Sequence, residues 1–282
     1  MSIIRNIKTI NLYSINNKSP EGSLEYEIIN FPDGEVQIKI LNKALEAQDM
    51  TILDIIAPVR NANELFILLQ VLKLTKHINR NLYLMYLMSA RNDRDFEDGR
   101  AINTEIVDSA IASYLSKRDR VYTLDPHNKF RNFNSIELAS SSVHTWFPHN
   151  HIKTSAEAFI IFPDKGAYKR YFMQLIPHHY TVAEKDRDVS TGWINKYNID
   201  VSDLKIDQTI YIVDDLVDGG STFRMLAEEL KDLPNKKILI VTHVIQPDKL
   251  IAITEYYDYI YVTNSYSDAI NHPKIITKEV RI

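Results

Sequence analysis

The densest chemistry in the chain lies at residues 210–230, IYIVDDLVDGGSTFRMLAEEL. An apolar run leads into the acid pair Asp214 and Asp215. Two apolar residues later come Asp218, Gly219, Gly220, Ser221 and Thr222, and then a helical pattern. Strand ends in open α/β sheets face the ligand crevice. A glycine-rich turn that opens a helix offers N–H groups and a positive dipole end to a phosphate. Ser221 and Thr222 add hydroxyl donors. Two neighbouring carboxylates suit the hydroxyls of a ribose, and Mg2+ through water. The plain alternative is a strand-to-helix turn with acidic capping. The coincidence of acid pair, paired glycines and hydroxyls in one short stretch favours the phosphate reading.

Five other segments carry candidate groups. His127 follows a strand pattern two residues after Asp125, where a neutral imidazole can bind a divalent metal. Asp164 follows another apolar run, placed to reach a metal or a sugar hydroxyl; Lys169 and Arg170 on the next helix suit phosphate or a salt-bridged helix face. Arg91 can clamp nucleotide phosphates, with Asn92 and Asp93 beside it. The charged residues that follow, Arg94 to Arg100, read equally well as a solvated loop. Lys185 and Arg187 are one residue apart, so in extended chain they point to the same side and can close over a transferring diphosphate. The fifth segment is FPDGE, Phe31 to Glu35. His149, His151, His178 and His179 have no such context and read as surface or structural; His243 ends a strand and is given no catalytic role.

These groups need a scaffold. Strand patterns fall at 50–56, 82–88, 120–124, 158–162, 209–213, 237–242 and 259–263, with helical patterns at 63–75, 104–116, 167–175 and 222–230. The apolar positions of 63–75 are dense enough to predict a largely buried helix. The Ser221-Thr222 pair is placed to cap the last helix. Alternation of strand and helix predicts an α/β protein with mainly parallel sheets. A polar stretch at 133–153 places a domain boundary near residue 141, giving domains 1–141 and 142–282. A second polar stretch, 184–207, reads as a long irregular loop suited to a lid. Only 7 of 282 residues are glycine, well below the usual ~7%, so those retained mark places where the backbone or a ligand needs them.

Composition excludes several classes. With 33 Lys plus Arg against 37 Asp plus Glu, the formal charge of −4 gives no reason to expect nucleic acid or an anionic membrane as partner. Absence of Cys excludes disulfides, thiolate metal sites and a cysteine nucleophile. No apolar run reaches the ~18 residues needed to span a bilayer, and the N-terminus lacks an apolar signal core. A cytoplasmic protein is expected.

The 214–222 stretch resembles the ribose-phosphate loop of the phosphoribosyltransferase fold. The other segments resemble, in order along residues 30–265, those of the ribose-phosphate pyrophosphokinase family, which makes phosphoribosyl diphosphate. FPDGE looks like its ATP-contacting turn and Ala90-Arg91-Asn92-Asp93-Arg94 like its second ATP segment. The segment from Thr123 to His127 is similar to its metal segment, Phe162 to Ala167 to its Pro-Asp segment, and Lys185-Asp186-Arg187 to its catalytic loop. The resemblance implies two phosphoribosyltransferase-like domains, an ATP-side N-terminal one and a ribose-phosphate-binding C-terminal one. It implies diphosphoryl transfer from ATP to the anomeric hydroxyl of ribose 5-phosphate. Lys185 and Arg187 are then catalytic, Phe31, Asp33, Glu35, Arg91, Asn92 and Asp93 bind ATP, and His127 and Asp164 hold Mg2+. Asp214, Asp215, Asp218, Gly219, Gly220, Ser221 and Thr222 bind the ribose phosphate. It further implies a homo-oligomer, at least a dimer, with the ATP site shared between subunits.

The chain departs from the family at two places. The family's usual loop is Asp-Thr-(Gly/Ala)-Gly-Thr; Gly219 removes the first Thr and Ser221 restores a hydroxyl. That opens the pocket to a larger 5′-substituted ribose such as ADP-ribose, whose pyrophosphate is a logical precursor for NAD. The chain is also shorter at both ends than typical members, so a hexamer, ADP inhibition and phosphate activation are not expected. A non-catalytic relative that regulates a true synthetase and a plain phosphoribosyltransferase are the remaining readings.

Overall fold

The computed structural model describes residues 7–14, 18–41, 52–93, 95, 97, 99–138, 157–175, 179–187 and 194–280. The chain divides into two compact units, Met1–Leu138 and Ala139–Ile282. The expected boundary near residue 141 falls outside the described residues.

Unit 1 opens with β1 (Ile7–Asn11) and an antiparallel hairpin of β2 (Tyr26–Asn30) and β3 (Val36–Ile40). Then come β4 (Ile52–Val59), α1 (Ala62–Leu74), β5 (Arg80–Leu87), α2 (Asn103–Ala112), β6 (Arg120–Thr123) and β7 (Ser135–Glu137). Strands β1-β4-β5-β6-β7 form a five-stranded sheet, parallel throughout. Gln70 of α1 grips the hairpin through its amide: Oε1 accepts the Ile38 N–H at 3.1 Å and Nε2 donates to the Val36 carbonyl at 3.0 Å. Ile67, Leu68, Val71 and Leu72 of α1 are buried, but Phe66 and Leu74 are 48% and 46% exposed. The apolar run 65–69 circles a whole turn, and the sheet covers only one side of it.

A buried ion pair ties the helices to β5. Arg80 holds Asp119 with Nε and Nη2, at 3.1 and 2.5 Å, and donates to the carbonyls of Leu72 and Tyr114. Both side chains are out of water, at 1% and 0% exposure.

Unit 2 runs β8 (Ala158–Phe162), α3 (Lys165–Leu175), β9 (His179–Val182), β10 (Glu184–Arg187), β11 (Ile194–Asn198), β12 (Thr209–Val217) and α4 (Ser221–Glu229). It continues with β13 (Lys237–Val244), α5 (Pro247–Ala252), a short 3-10 turn at Thr254–Tyr256, β14 (Tyr259–Thr263) and β15 (Ile275–Lys278). Its six-stranded sheet has the order β15-β14-β13-β12-β8-β9 and is parallel throughout. Side chains alternate between two covered faces. Phe159, Ile161, Ile210, Ile212, Leu239 and Val241 pack with Phe223, Leu226 and Ala227 of α4 on one face. Ile160, Phe162, Tyr211, Val213 and Ile240 pack with Ala167 and Tyr171 of α3 on the other.

Two expectations are corrected. Strand β12 does not stop at Val213; it runs through the acid pair to Val217, with Asp214 opposite Val241 and Leu216 opposite His243. The stretch 184–207 is not an irregular loop, since β10 and β11 form an antiparallel ribbon. Tyr197 of β11, 1% exposed, fastens that ribbon to the α4 side of the core. An aromatic in a polar run gives little periodic signal, which is why the ribbon escaped the pattern.

Arg80→Met leaves Asp119 as a buried, unpaired carboxylate and costs about 3–5 kcal/mol, read as a lowered urea midpoint for unit 1. Burial pushes Asp119 up, but hydrogen bonds from Arg80 and Ser116 outweigh it and hold the group below the usual carboxylate range. Its stabilisation is therefore complete above an unfolded value of about 3.9 and lost as pH falls through the lower folded value. A urea series at falling pH shows this loss in the native chain and not in Arg80→Met.

Candidate active site

In unit 2 the strand order reverses at β8. From β8 the chain adds β9 on one side, then β12 to β15 on the other. Such a switch point opens a crevice beyond the strand ends. Asp164 leaves the end of β8, and Asp214 and Asp215 lie in its neighbour β12 just beyond the last residues that pair with β8, Ile161 with Ile212.

Asp164 works at both oxygens. Its Oδ1 accepts the N–H groups of Gly166 and Ala167 at 2.9 and 3.1 Å, capping the first turn of α3. Its Oδ2 accepts from Lys185 Nζ of β10 at 2.7 Å. Burial raises the Asp164 pKa, but the Lys185 hydrogen bond and the backbone donors together hold it below the usual range. Farther along α3, Arg170 Nη2 bridges the acid pair, 3.3 Å from Asp214 Oδ1 and 3.1 Å from Asp215 Oδ1. The Asp215 N–H also donates to Asp214 Oδ1. Burial, then the Asp215 charge, pushes Asp214 well above the usual carboxylate range against the pull of Arg170, with a smaller push from Asp164. Five expected or candidate groups, Asp164, Lys185, Arg170, Asp214 and Asp215, thus form one cluster.

Beyond β12, Asp218 Oδ1 accepts from Gln246 Nε2 at 2.8 Å. Gly220 adopts φ 74° and is the N-cap of α4, which has no side-chain cap hydrogen bond. The expected Ser/Thr cap is therefore corrected: Ser221 and Thr222 lie inside the first turn, and the N-cap is Gly220, which has no side chain to cap it. The Tyr257 hydroxyl donates to the Phe223 carbonyl at 2.7 Å and anchors this helix start. Arg187 ends β10, where the ladder shifts register between Asp186 and Arg187.

In unit 1, FPDGE is the tip of the β2–β3 hairpin. It closes on itself: Phe31 N–H to the Glu35 carbonyl at 2.8 Å, Gly34 N–H to the Phe31 carbonyl at 3.0 Å, and Glu35 N–H to Asp33 Oδ1 at 3.1 Å. Phe31 is 40% exposed. Segments 89–93 and 125–128 leave the ends of neighbouring strands β5 and β6. Asn128 Nδ2 joins them, donating to Asp93 Oδ2 at 2.7 Å and to the Ala90 carbonyl at 3.3 Å. Thr104 Oγ1 holds the Ser89 and Asn92 carbonyls at 3.0 and 2.5 Å. Ser89 and Asp125 take φ of 64° and 42°, a strained conformation for non-glycine residues. Asp125 is 2% exposed, and His127, two residues on, is half-buried. Arg91 is exposed; Arg94 lies outside the described residues. Sequence reasoning missed Asn128 and Gln246, which carry no motif signal, and left Arg170 undecided between phosphate and a salt bridge.

Over 276 residues the chain is 26% identical to ribose-phosphate pyrophosphokinase of Thermococcus kodakarensis, covering 92% of both proteins. It is 26% identical over 219 residues to that of Sulfolobus acidocaldarius, covering 74% of this chain and 72% of the relative. Along nearly its whole length the chain is thus similar to ribose-phosphate pyrophosphokinases. A crystal structure of phosphoribosylpyrophosphate synthetase from Mycobacterium smegmatis shares the fold, with TM-score 0.73 over 98% of this chain and 95% of that one at 16% identity. No protein-family model matches the chain.

The two expected metal ligands, His127 and Asp164, can be tested for fit. His127 and Asp164 belong to different units. Asp164 already has a cation, Lys185, on Oδ2, and a metal there must displace it. Among the described residues no three His, Asp or Glu side chains are grouped as a cage. Asp164 Oδ2 is therefore open to a divalent ion only where Lys185 moves away. No helix among them is long and apolar enough to cross a membrane.

The two glycines of the loop have different reasons to be glycine. A Cβ at Gly220 would meet Ile253 Cγ2 and the Lys249 carbonyl at 3.4 Å, on top of its positive φ; a Cβ at Gly219 would meet nothing within 4 Å. Gly220→Ala is expected to cost about 1–2 kcal/mol, measured by thermal and urea unfolding. Gly219→Ala is expected to stay within about 0.5 kcal/mol of the native chain.

Proposed function

We propose that the chain transfers the β,γ-diphosphate of Mg-ATP to the anomeric hydroxyl of ribose 5-phosphate, giving phosphoribosyl diphosphate and AMP. The reading is carried by the meeting of Asp164, Lys185 and the acid pair at the switch point of the unit 2 sheet, next to a helix start without a side-chain cap. The hydroxyl oxygen attacks the β-phosphorus in line. The bond from β-phosphorus to the α,β-bridging oxygen breaks, AMP leaves with that oxygen, and the hydroxyl proton passes to solvent. Such chemistry asks for positioning and charge stabilisation rather than a covalent residue.

Asp214 and Asp215 accept from the ribose hydroxyls. Asp218, Gly219, Gly220, Ser221 and Thr222 hold the 5′-phosphate on the first turn of α4. Lys185, with Arg187, stabilises charge on the transferring group, leaving Asp164 when the diphosphate arrives. Mg2+ comes with the nucleotide as part of the substrate. Phe31, Asp33 and Glu35 meet adenine, and the exposure of Phe31 suits a ring offered to a nucleotide, with a neighbouring subunit of a homo-oligomer as donor or recipient. Arg91, Asn92, Asp93 and His127 serve the phosphates of Mg-ATP.

One observation favours a second acceptor. Gly219 leaves open space where a side chain would stand, without a backbone reason for glycine. A ribose carrying a larger 5′ group, such as ADP-ribose, then fits the same loop, and its 1-pyrophosphate would serve NAD synthesis.

Purified protein with Mg-ATP and either ribose 5-phosphate or ADP-ribose, followed by phosphorus NMR, separates the readings. AMP with ribose 5-phosphate supports the first, and turnover confined to ADP-ribose supports the second. No AMP with either leaves a regulatory relative. Lys185→Ala is expected to lower kcat about 10²–10³-fold without unfolding the chain. Under the second reading Gly219→Thr cuts ADP-ribose turnover at least about tenfold, as expected for a lost steric fit; under the first it leaves ribose 5-phosphate turnover near native.

A further inference from the structure

We propose that Arg170 is a positioning residue: it acts through Asp214 and Asp215, fixing the two carboxylates as acceptors for the sugar hydroxyls, and does not itself grip phosphate. The inference rests on the reading of unit 2 as the ribose-phosphate site. A basic residue on the helix after the Asp164 turn invites assignment to phosphate. The geometry points elsewhere. One guanidinium nitrogen lies within 3.3 Å of Oδ1 of both carboxylates. The guanidinium carbon stands 5.5 Å from the centre of the Tyr171 ring, and the side chain is only 20% exposed. Its neighbour Lys169, by contrast, is exposed.

The arrangement solves a charge problem. Adjacent buried carboxylates repel each other, and a shared cation is the direct remedy. A single nitrogen, Nη2, serves both oxygens while the guanidinium stays within cation–π reach of the Tyr171 ring. Helix α3 supplies both ends of the device. Its first turn is capped by Asp164, which fixes where the helix starts and so where Arg170 falls. The charged groups facing Asp214 are Arg170 from α3, Asp215 beside it on β12, and Asp164 from the turn before α3, itself paired with Lys185 of β10. That is three carboxylates against two cations. Loss of Arg170 leaves Lys185 alone among them.

The test compares the native chain with Arg170→Met, Arg170→Lys, Asp214→Asn and the Arg170→Met/Asp214→Asn double variant, with folding checked by circular dichroism. The first readout is a carbon-13 NMR titration of the Asp214 and Asp215 carboxyl groups. It is expected to move to higher pH in Arg170→Met and by less in Arg170→Lys; an unmoved titration overturns the proposal whatever the substrate proves to be. The second is binding of ribose 5-phosphate and of ADP-ribose, each without nucleotide, by calorimetry. Arg170→Met is expected to weaken the acceptor that the native chain binds by tenfold or more, with ATP affinity changed less than threefold. The double variant should bind no worse than the weaker single variant. Losses that multiply in the double variant place Arg170 on the phosphate and overturn the proposal. If Arg170→Met does not fold, Arg170→Lys carries both readouts: an upward titration shift with weakened acceptor binding supports the proposal, and native values in both overturn it. A native chain that releases no AMP with either acceptor overturns the functional reading, while a shifted titration still upholds the clamp.

Discussion

Strand β12 carries two carboxylates into a sheet that is covered on both faces, and the cost of keeping them there organises unit 2. Withdrawing a charge from water costs several kcal/mol unless a partner is in place. The partner, Arg170, comes from a different element, so α3 must start at a fixed point along the chain. Asp164 sets that point by capping the helix, and its other oxygen draws Lys185 in from the β10–β11 ribbon. Cap, clamp and ribbon form a single electrostatic chain, from one strand end to the next. Parallel register between β8 and β12 makes it short enough to close.

Unit 1 uses a different device. Among the described residues its sheet winds in one direction without a reversal. Its candidate groups instead sit on turns held by side chains. Among the described residues, the non-glycine positive φ values all fall in this unit, at Ser89, Glu97 and Asp125, and two of them mark the ends of neighbouring strands. Strain of this kind, about 1–2 kcal/mol per residue, persists where surrounding contacts over-determine the backbone. Thr104 and Asn128 supply those contacts.

Much of this is legible in the sequence. The strands β8 and β14 were read to the residue, and α1 and α3 to within two, because buried parallel strands are continuous apolar runs and amphipathic helices keep their period. The acid pair and the glycines stand out by type and spacing, whereas Lys185 stands out only through the family resemblance of the segments around it. What escaped has a physical pattern. The extension of β12 through Asp214 was hidden because carboxylates look like a strand terminator until their partner is known. Ribbon β10–β11 was hidden because its single buried anchor, Tyr197, is outnumbered by polar neighbours. The choice of Arg170 for the acid pair is a tertiary fact, set by the separation of α3 and β12 rather than by any local run of residues.

The contrast between the two loop glycines bears on how such a site changes over generations. Gly220 is held by its backbone and by Ile253, so replacements there are removed for reasons of folding before function is tested. Gly219 carries no such burden. A side chain there meets open space, so this position can change with no compensating change in the core.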